Sequence, residues 1–283
     1  MLTKRLIVFL VLLMTLSNAQ AQVFWSVTDD EGRQNWLLGT VHSEDPRLLE
    51  LRPELMQALG EADRLALELV PNSSMLSRLN EAMHYERGRL DEVLEPELYQ
   101  QVVLLMNDDY GMGEPAVRRM RPWAVAMTLS MPPPQTGLFM DLALSFRASG
   151  MGKDVVALET LDEQLAFLEG LDKSLQVKLL RQAVADHALI PELFEQLIST
   201  YLSGDLEKLE AQSREQLGLL DEAIVEHFNQ VGLIDRNRVM LERSEEWLAA
   251  GGLIIAVGAL HLPGEDGLIK LLRQAGWTVE GLY

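Results

Sequence analysis

Two histidines each stand three residues after a glycine, at the point where an apolar stretch of the sequence ends. Gly39 and His42 lie in LLGTVHSEDPR, and Gly258 and His261 lie in LIIAVGALHLPGEDG. Neutral imidazole is a metal ligand and a general base, and glycine lets the backbone turn sharply beside such a group. One Gly-x-x-His is a weak motif, but the chain has five histidines and carries the motif near both ends. This repetition predicts that the two rings belong to one site.

Two glutamates follow apolar stretches in a similar way. Glu68 lies in RLALELV and Glu159 lies in KDVVALET, and both segments have the composition of buried strands. Ligands of α/β sheets bind beyond the carboxyl ends of the strands, where the loops converge. Two imidazoles with one or two carboxylates suit Mn²⁺, Co²⁺ or Zn²⁺. We therefore predict a divalent-metal site whose ligands are His42, His261, Glu68 and Glu159.

The remaining polar candidates have less certain roles. Glu68 is either a metal ligand or the general base that takes a proton from water. Arg236 and Asn237, in IDRNRVM, are predicted to position a substrate or to stabilise an oxyanion, with a surface ion pair as an equal alternative for Arg236. The other three histidines, His84, His187 and His227, are predicted to be surface or core-edge residues.

The elements that must position these residues are strands at both ends of the chain and helices between them. VFWSVT and NWLLG, around an Asp/Gly turn, predict a β-hairpin, and LIIAVGA and WTVEGLY predict two later strands. Helical patterns occupy about 71–147, with breaks at Asn107-Asp108-Asp109 and at Gly111, and about 162–250. The predicted fold is α/β: one domain over 22–283, with a central mixed β-sheet flanked by helices and a large helical insertion.

Composition restricts the partners. The formal net charge is −19, which argues against nucleic acid and anionic membrane surfaces, since both need a basic patch. The 48% hydrophobic content is typical of a globular chain. The sequence has no cysteine, which excludes disulfides, a cysteine zinc site, a thiol nucleophile and a lipoprotein anchor.

The first residues have the three-part pattern of a secretory signal peptide. Lys4 and Arg5 precede an apolar run over 6–13, and Ala19-Gln20-Ala21 has the form of a cleavage site. The apolar run is too short for a comfortable transmembrane helix. We expect cleavage after Ala21 and a periplasmic or secreted mature protein with no stable membrane anchor.

A family resemblance extends over the mature chain. The segments LLGTVHSEDPRLLEL, LALELV, RPWAVAMTL, VVALETLDEQLAFLEGL, DRNRVM and AVGALHLPGEDGLIKLLRQAGWTVE occur in an order that resembles the TraB/GumN family. That family is related to the TIKI metalloproteases and more distantly to erythromycin-esterase and ChaN-type proteins. The resemblance implies an α/β fold with a helical insertion and a pocket around His42, Glu68 and His261. In the TIKI branch it implies metal-dependent peptide hydrolysis.

Three functional hypotheses follow. The leading one is a secreted or periplasmic divalent-metal-dependent hydrolase, with a peptidase preferred and a peptide or small molecule as substrate. The second is a metal-free, esterase-like hydrolase in which Glu68 activates His42 as general base. The third is a non-catalytic periplasmic protein that binds a peptide, a signal or haem. A homodimer through an apolar face of the insertion also stays open.

Overall fold

The computed structural model describes residues 22–283, and the expected signal peptide, residues 1–21, lies outside them. Within the described residues six strands form one sheet in the order β4-β3-β5-β2-β1-β6. Their bounds are β1 Phe24–Thr28, β2 Gln34–Thr40, β3 Arg64–Leu67, β4 Asp154–Ala157, β5 Leu253–Gly258 and β6 Thr278–Gly281.

The sheet is mixed, as predicted. Strands β4, β3, β5 and β2 are parallel neighbours, whereas β1 runs antiparallel to both β2 and β6. Thr40 at the end of β2 pairs with Gly258 at the end of β5. Leu67 at the end of β3 pairs with Ala157 of β4 and with Ala256 of β5. The carboxyl ends of four strands therefore meet at one edge of the sheet.

The predicted hairpin is β1 and β2, and its turn chemistry is visible in the structure. The Asp29 carboxylate accepts hydrogen bonds from the backbone N–H groups of Glu31 and Arg33. Gly32 adopts a φ of +80°, a conformation that side chains disfavour. This turn joins β1 to β2, whose last residues, Gly39 and Thr40, lie at the carboxyl edge of the sheet.

Fourteen α-helices occur within the described residues, and none of them is both long and apolar enough to cross a membrane. They are α1 Pro46–Leu49, α2 Pro53–Glu61, α3 Ser73–Met83, α4 Pro96–Tyr110, α5 Glu114–Val117, α6 Pro122–Leu129, α7 Met140–Gly150, α8 Leu161–Glu169, α9 Lys173–Asp186, α10 Ile190–Leu202, α11 Leu206–Leu217, α12 Glu222–His227, α13 Asp235–Ala250 and α14 Leu268–Gln274. A π-helix, Phe228–Ile234, joins α12 to α13.

The apolar residues pack into two clusters. One contains the buried faces of the sheet and the helices beside it, including Leu37, Leu65 and Ile254. The other consists mainly of helix residues and contains members of both predicted helical segments, such as Trp123 of α6 and Leu180 of α9. The two segments therefore pack against each other in a helical layer with its own core, separate from the core of the sheet.

Two details of the predicted elements were wrong. The break expected at Asn107-Asp108-Asp109 does not occur, because α4 continues to Tyr110 and ends at Gly111, which adopts a φ of +66°. Glycine in this left-handed conformation terminates helices, whereas Asn and Asp are tolerated in the last turn when such a terminator follows. The second detail is strand length: β3 and β4 are both shorter than the apolar stretches that predicted them.

Candidate functional site

The carboxyl edge of the sheet collects five of the six predicted site residues into one connected group. Its members, called here the strand-edge cluster, come from the ends of β3, β4 and β5 and from the first turn of α13. They are Glu68, Glu159, Arg236, Asn237 and His261.

Arg236 joins the two glutamates. Its Nε donates to Glu159 Oε1 at 2.8 Å, and its Nη2 donates to Glu159 Oε2 at 2.6 Å and to Glu68 Oε2 at 2.7 Å. The Glu159 side chain is 2% exposed and that of Arg236 is 16% exposed. Burial alone lowers the pKa of Arg236, but the hydrogen bonds and charges of Glu159 and Glu68 outweigh it and raise that pKa. The guanidinium is therefore a permanent cation that balances two carboxylates in a largely buried place.

His261 is buried and has one ring nitrogen fixed. It lies in a short 3₁₀ turn, Ala259–His261, directly after β5. Its Nδ1 is 2.7 Å from Asn237 Oδ1, while Asn237 Nδ2 donates to the Asp266 carbonyl at 2.8 Å, an arrangement that makes the amide oxygen the acceptor. Nδ1 then carries the ring proton and Nε2 has the lone pair, 3.8 Å from Glu68 Oε1. Burial lowers the pKa of His261 and favours this neutral ring.

Gly258 explains how a glutamate approaches the backbone so closely. Its N–H donates to Glu68 Oε1 at 2.7 Å. A Cβ at this position would lie 3.3 Å from the same oxygen and 3.6 Å from the His261 ring. The glycine of the second Gly-x-x-His motif therefore makes room for Glu68.

His42 lies at the same edge of the sheet but contacts other residues. Its side chain is 61% exposed, and its Nδ1 is 3.5 Å from Asp141 Oδ2. The ring stacks on Phe139 with 4.0 Å between centroids. His42 follows Thr40, the last residue of β2, by two residues, and β2 pairs with β5, the strand that precedes His261. The structure thus brings the two histidines to neighbouring strand ends without joining them by a direct contact.

The glycine of the first motif serves backbone packing. A Cβ on Gly39 would lie 3.0 Å from Ala259 Cα and 3.2 Å from Leu262 Cδ2. The Gly39 carbonyl accepts a hydrogen bond from the buried Tyr201 hydroxyl at 2.8 Å. Gly39 thereby lets the turn that carries His261 pack directly on β2.

The predicted metal ligands fit a divalent ion in their chemistry. The Nδ1 atom of His261 is 2.7 Å from Asn237 Oδ1 and that of His42 is 3.5 Å from Asp141 Oδ2. Metal-ligating histidines usually have such an oxygen beside the ring nitrogen that does not bind the ion. Glu68 Oε1 and His261 Nε2 face each other. Both oxygens of Glu159, by contrast, are bonded to Arg236. Within residues 22–283 no group of three or more histidine, aspartate or glutamate side chains stands ready around one point.

Three groups that contact the site residues were not predicted from the sequence: the Gln164 amide, the Asp141 carboxylate and the Asp266 carbonyl. Gln164 Nε2 lies 3.2 Å from Glu68 Oε2 and from Glu159 Oε2. Gln164 stands in the first turn of α8, which Thr160 and Glu163 begin with a capping box. That capping box, directly after Glu159 in the sequence, was the signal that could have placed Gln164 near this glutamate. Asp141 is 99 residues from His42, and the Asp266 carbonyl, five residues after His261, is 29 residues from the Asn237 amide that it accepts from, so no local pattern marks either contact.

The other three histidines are bonded to carbonyl groups away from the strand-edge cluster. The Nδ1 atom of His84 is 2.6 Å from the Asn80 carbonyl. His187 lies between the Leu129 carbonyl and the Asp109 carboxylate. The Nε2 atom of His227 is 2.7 Å from the Phe167 carbonyl. These contacts give each of the three a local structural role.

Comparisons with known proteins agree with the resemblance in the sequence. The model of the TraB/PrgY/gumN family matches residues 23–281. Metalloprotease TIKI1 of Danio rerio is 26% identical over 90% of this chain, and the match spans 62% of that protein. The proteins called YbaP from Shigella flexneri and Escherichia coli K12 are 25% identical over 87% of this chain and 90% of their own length. No solved structure matches.

Proposed function

The chain belongs to the TraB/PrgY/gumN family, and we propose that it is a divalent-metal-dependent hydrolase that cleaves peptide bonds at the strand-edge cluster. The observation that carries this proposal is shared by the two Gly-x-x-His motifs. At neighbouring strand ends, each ring has Nδ1 beside a side-chain oxygen, and the Nε2 of His261 faces Glu68. The similarity to a protein named as a metalloprotease supports the same reaction class.

His42 and His261 are the proposed imidazole ligands, and Mn²⁺, Co²⁺ and Zn²⁺ are the candidate ions. A divalent ion there would supply a water acidified toward neutral pH and would polarise the substrate carbonyl. Asn237 fixes the His261 tautomer, and Asp141 has the corresponding position beside His42.

Glu68 is the proposed third ligand or general base. Its Oε1 is held by the Gly258 N–H, and its Oε2 is held by Arg236. A carboxylate fixed on both oxygens and directed at His261 is positioned to bind an ion or to accept the proton of the attacking water. Arg236 and Glu159 are proposed to keep that carboxylate in place, because their polar atoms are bonded mainly to each other and to Glu68.

A second candidate reaction needs no ion. His261 is neutral, has a fixed tautomer and presents the lone pair of Nε2, which are the properties of a general base. In this version the substrate is an ester or amide, and His261 takes the role first predicted for His42, whose carboxylate contact is Asp141 rather than Glu68.

We also propose that the mature protein is periplasmic or secreted. This rests on the signal-peptide pattern of residues 1–21. N-terminal sequencing of the protein from the producing cell should begin at Gln22. A chain that retains Met1 in the cytosolic fraction would overturn this location.

Peptide hydrolysis tests the proposed reaction directly. Protein purified without a metal-affinity tag would be incubated with a peptide library and Mn²⁺, Co²⁺ or Zn²⁺, with and without EDTA. We expect cleavage that EDTA abolishes, that His42→Ala and His261→Ala both lose, and that His84→Ala keeps. Cleavage that resists EDTA and requires His261 would favour the metal-free reaction. Absence of turnover with every ion would contradict the hydrolase proposal and favour a binding protein.

A further inference from the structure

An apolar cavity of about 430 Å³ lies among the helices next to the strand-edge cluster. Side chains of α6, α9, α10 and α11 and of the π-helix line it, and most of them are apolar. Leu260 also lines it, from the same turn that carries His261 into the cluster. The volume is in the range of about 300–1,000 Å³ typical of ligand pockets. Adjacent residues of one turn thus face the cavity and the candidate site.

The polar atoms of the cavity indicate what kind of molecule it accepts. Its charged lining groups are the carboxylates of Asp186 and Glu215, and within the described chain no lysine or arginine lines it. Gln212 Oε1 is buried without a hydrogen-bond partner among residues 22–283. A buried acceptor without a donor is costly, and a ligand N–H would satisfy it. Two carboxylates and an unused acceptor disfavour an anionic lipid and favour a neutral apolar group that carries N–H donors.

The cavity shares a lining residue with a cleft around the other histidine. Phe194 of α10 lines both this cavity and a second cleft of about 280 Å³. The second cleft contains His42, Pro132 and Pro191. A peptide laid over Phe194 would therefore extend from the turn that carries His261 to the side chain of His42.

We infer that the apolar cavity binds the non-polar side chains of an extended peptide substrate while its backbone lies across the carboxyl edge of the sheet. This inference rests on the proposed hydrolase function and specifies its substrate class. Gln212 accepts a hydrogen bond from a peptide N–H, and the aliphatic lining receives leucine-like side chains. The proposed specificity is for apolar residues on one side of the cleaved bond.

Binding is measured by fluorescence anisotropy in EDTA, so that metal-dependent cleavage does not consume the peptide during the measurement. The probe is a short, capped, fluorescein-labelled peptide with leucine at alternate positions, and the reference is the same peptide with serine in place of leucine. We expect the leucine peptide to bind at least about tenfold more tightly, since burial of each leucine-sized side chain contributes about that much or more. Equal binding of the two peptides would overturn the inference.

Two variants test the cavity itself. Ser213→Trp fills it from α11 and should weaken binding of the leucine peptide about tenfold or more, whereas Ser149→Trp on the exposed face of α7 should not change it. Gln212→Leu should weaken peptide binding about threefold to tenfold, the loss expected for one hydrogen bond, without lowering protein stability. A purely structural role for Gln212 would instead lower stability and spare binding. Unchanged binding in both variants would overturn the inference.

The remaining outcomes separate this inference from the proposed function. Displacement of the leucine peptide by laurate, unaffected by Gln212→Leu, would make an acyl chain the occupant and overturn the peptide assignment. Selective binding without cleavage under any metal would sustain the cavity as a peptide site and contradict the hydrolase. Cleavage of leucine and serine peptides at equal rates would sustain the hydrolase and contradict the cavity as a site for apolar side chains.

Discussion

The two Gly-x-x-His motifs have the same spacing and leave neighbouring parallel strands, yet their histidines have opposite environments. The His261 side chain is 5% exposed and its Nδ1 contacts a neutral amide, whereas the His42 side chain is 61% exposed and its Nδ1 lies beside a carboxylate. The glycines differ as well, because Gly258 makes room for Glu68 and Gly39 makes room for the backbone at Ala259. The motif thus determines where each ring enters the fold, while the tertiary surroundings determine its exposure and its partners.

The buried side of the site requires internal charge balance that the exposed side does not. Beside His261, two carboxylates share one largely buried arginine. In the segment that follows His42, Arg47 also bonds two carboxylates, Asp45 and Glu195, but its side chain is 44% exposed. The two arginines have the same number of acidic partners and differ in exposure, so they form a natural matched pair.

The largest expected effect comes from that pair. Arg236→Leu leaves Glu68 and Glu159 without their cation in a buried place and should lower the free energy of unfolding by about 3–5 kcal/mol at pH 7. Arg47→Leu removes solvent-exposed ion pairs with Asp45 and Glu195 and should cost far less than Arg236→Leu. Urea unfolding measures both, and equal losses would contradict the contrast between the two sides.

The second largest difference in stability is expected between alanine variants of the two histidines. His261→Ala leaves the buried Asn237 Oδ1 without its donor and should cost about 1–3 kcal/mol of unfolding free energy. His42→Ala removes an exposed ring and should stay within about 0.5 kcal/mol of the wild type. Thermal and urea unfolding of metal-free protein test the difference. A larger loss for His42→Ala would show that its loop, rather than the buried turn, supports the edge.

Alanine substitutions at the two glycines should affect different properties: stability at Gly39 and hydrolysis at Gly258. Gly39→Ala would place a Cβ 3.0 Å from the Ala259 backbone, which cannot move easily, and should cost about 1–3 kcal/mol through overpacking. Gly258→Ala would place its Cβ 3.3 Å from the end of the Glu68 side chain, which can shift. We expect Gly258→Ala to keep most of the stability but to displace Glu68 and reduce hydrolysis. Full activity of Gly258→Ala at wild-type stability would refute the role of this close approach.

The smallest effect concerns a solvent-facing pair beside the cluster. Hydrogen bonds from Arg243 outweigh partial burial and lower the pKa of Glu163 to about 2. Since the pKa of an unfolded glutamate is near 4.3, this contribution to stability is complete above that pH and disappears as the pH falls toward about 2. The difference in unfolding free energy between wild type and Glu163→Gln should therefore shrink over this window. Glu245→Gln, an exposed change on the same helix as Arg243, is the control, and an equal pH dependence in both variants would contradict the assignment.

Much of the edge could be predicted from the sequence, because its residues follow apolar strands at short, regular distances. Glu68, Glu159 and His261 all lie one to three residues after a strand, and parallel pairing brings such positions together. The helix carrying Arg236 was also predicted. The contacts of Arg236 with both glutamates were not predicted, because they span 77 and 168 residues of sequence and depend on how α13 packs.

The carboxylate beside His42 could not be predicted for the same reason. Asp141 is 99 residues from His42, in a helix whose own pattern gives no sign of the contact. Strand ends were also placed too late, because apolar composition continues into Leu69 and Val70 after β3 has lost its pairing. Local patterns therefore predicted the edge, while burial and long-range pairing were accessible only from the structure.

Calorimetric titration of Mn²⁺, Co²⁺ and Zn²⁺ into metal-free protein tests most directly whether the two dissimilar histidines serve one ion. We expect about one site per chain for at least one ion, lost in both His42→Ala and His261→Ala and retained in His84→Ala. The affinity should be weakened by about 10–100-fold in Asp141→Asn, because that carboxylate supports the His42 ring. Stoichiometric binding that survives in either His42→Ala or His261→Ala, or no binding of any of the three ions by the wild type, would contradict a shared site.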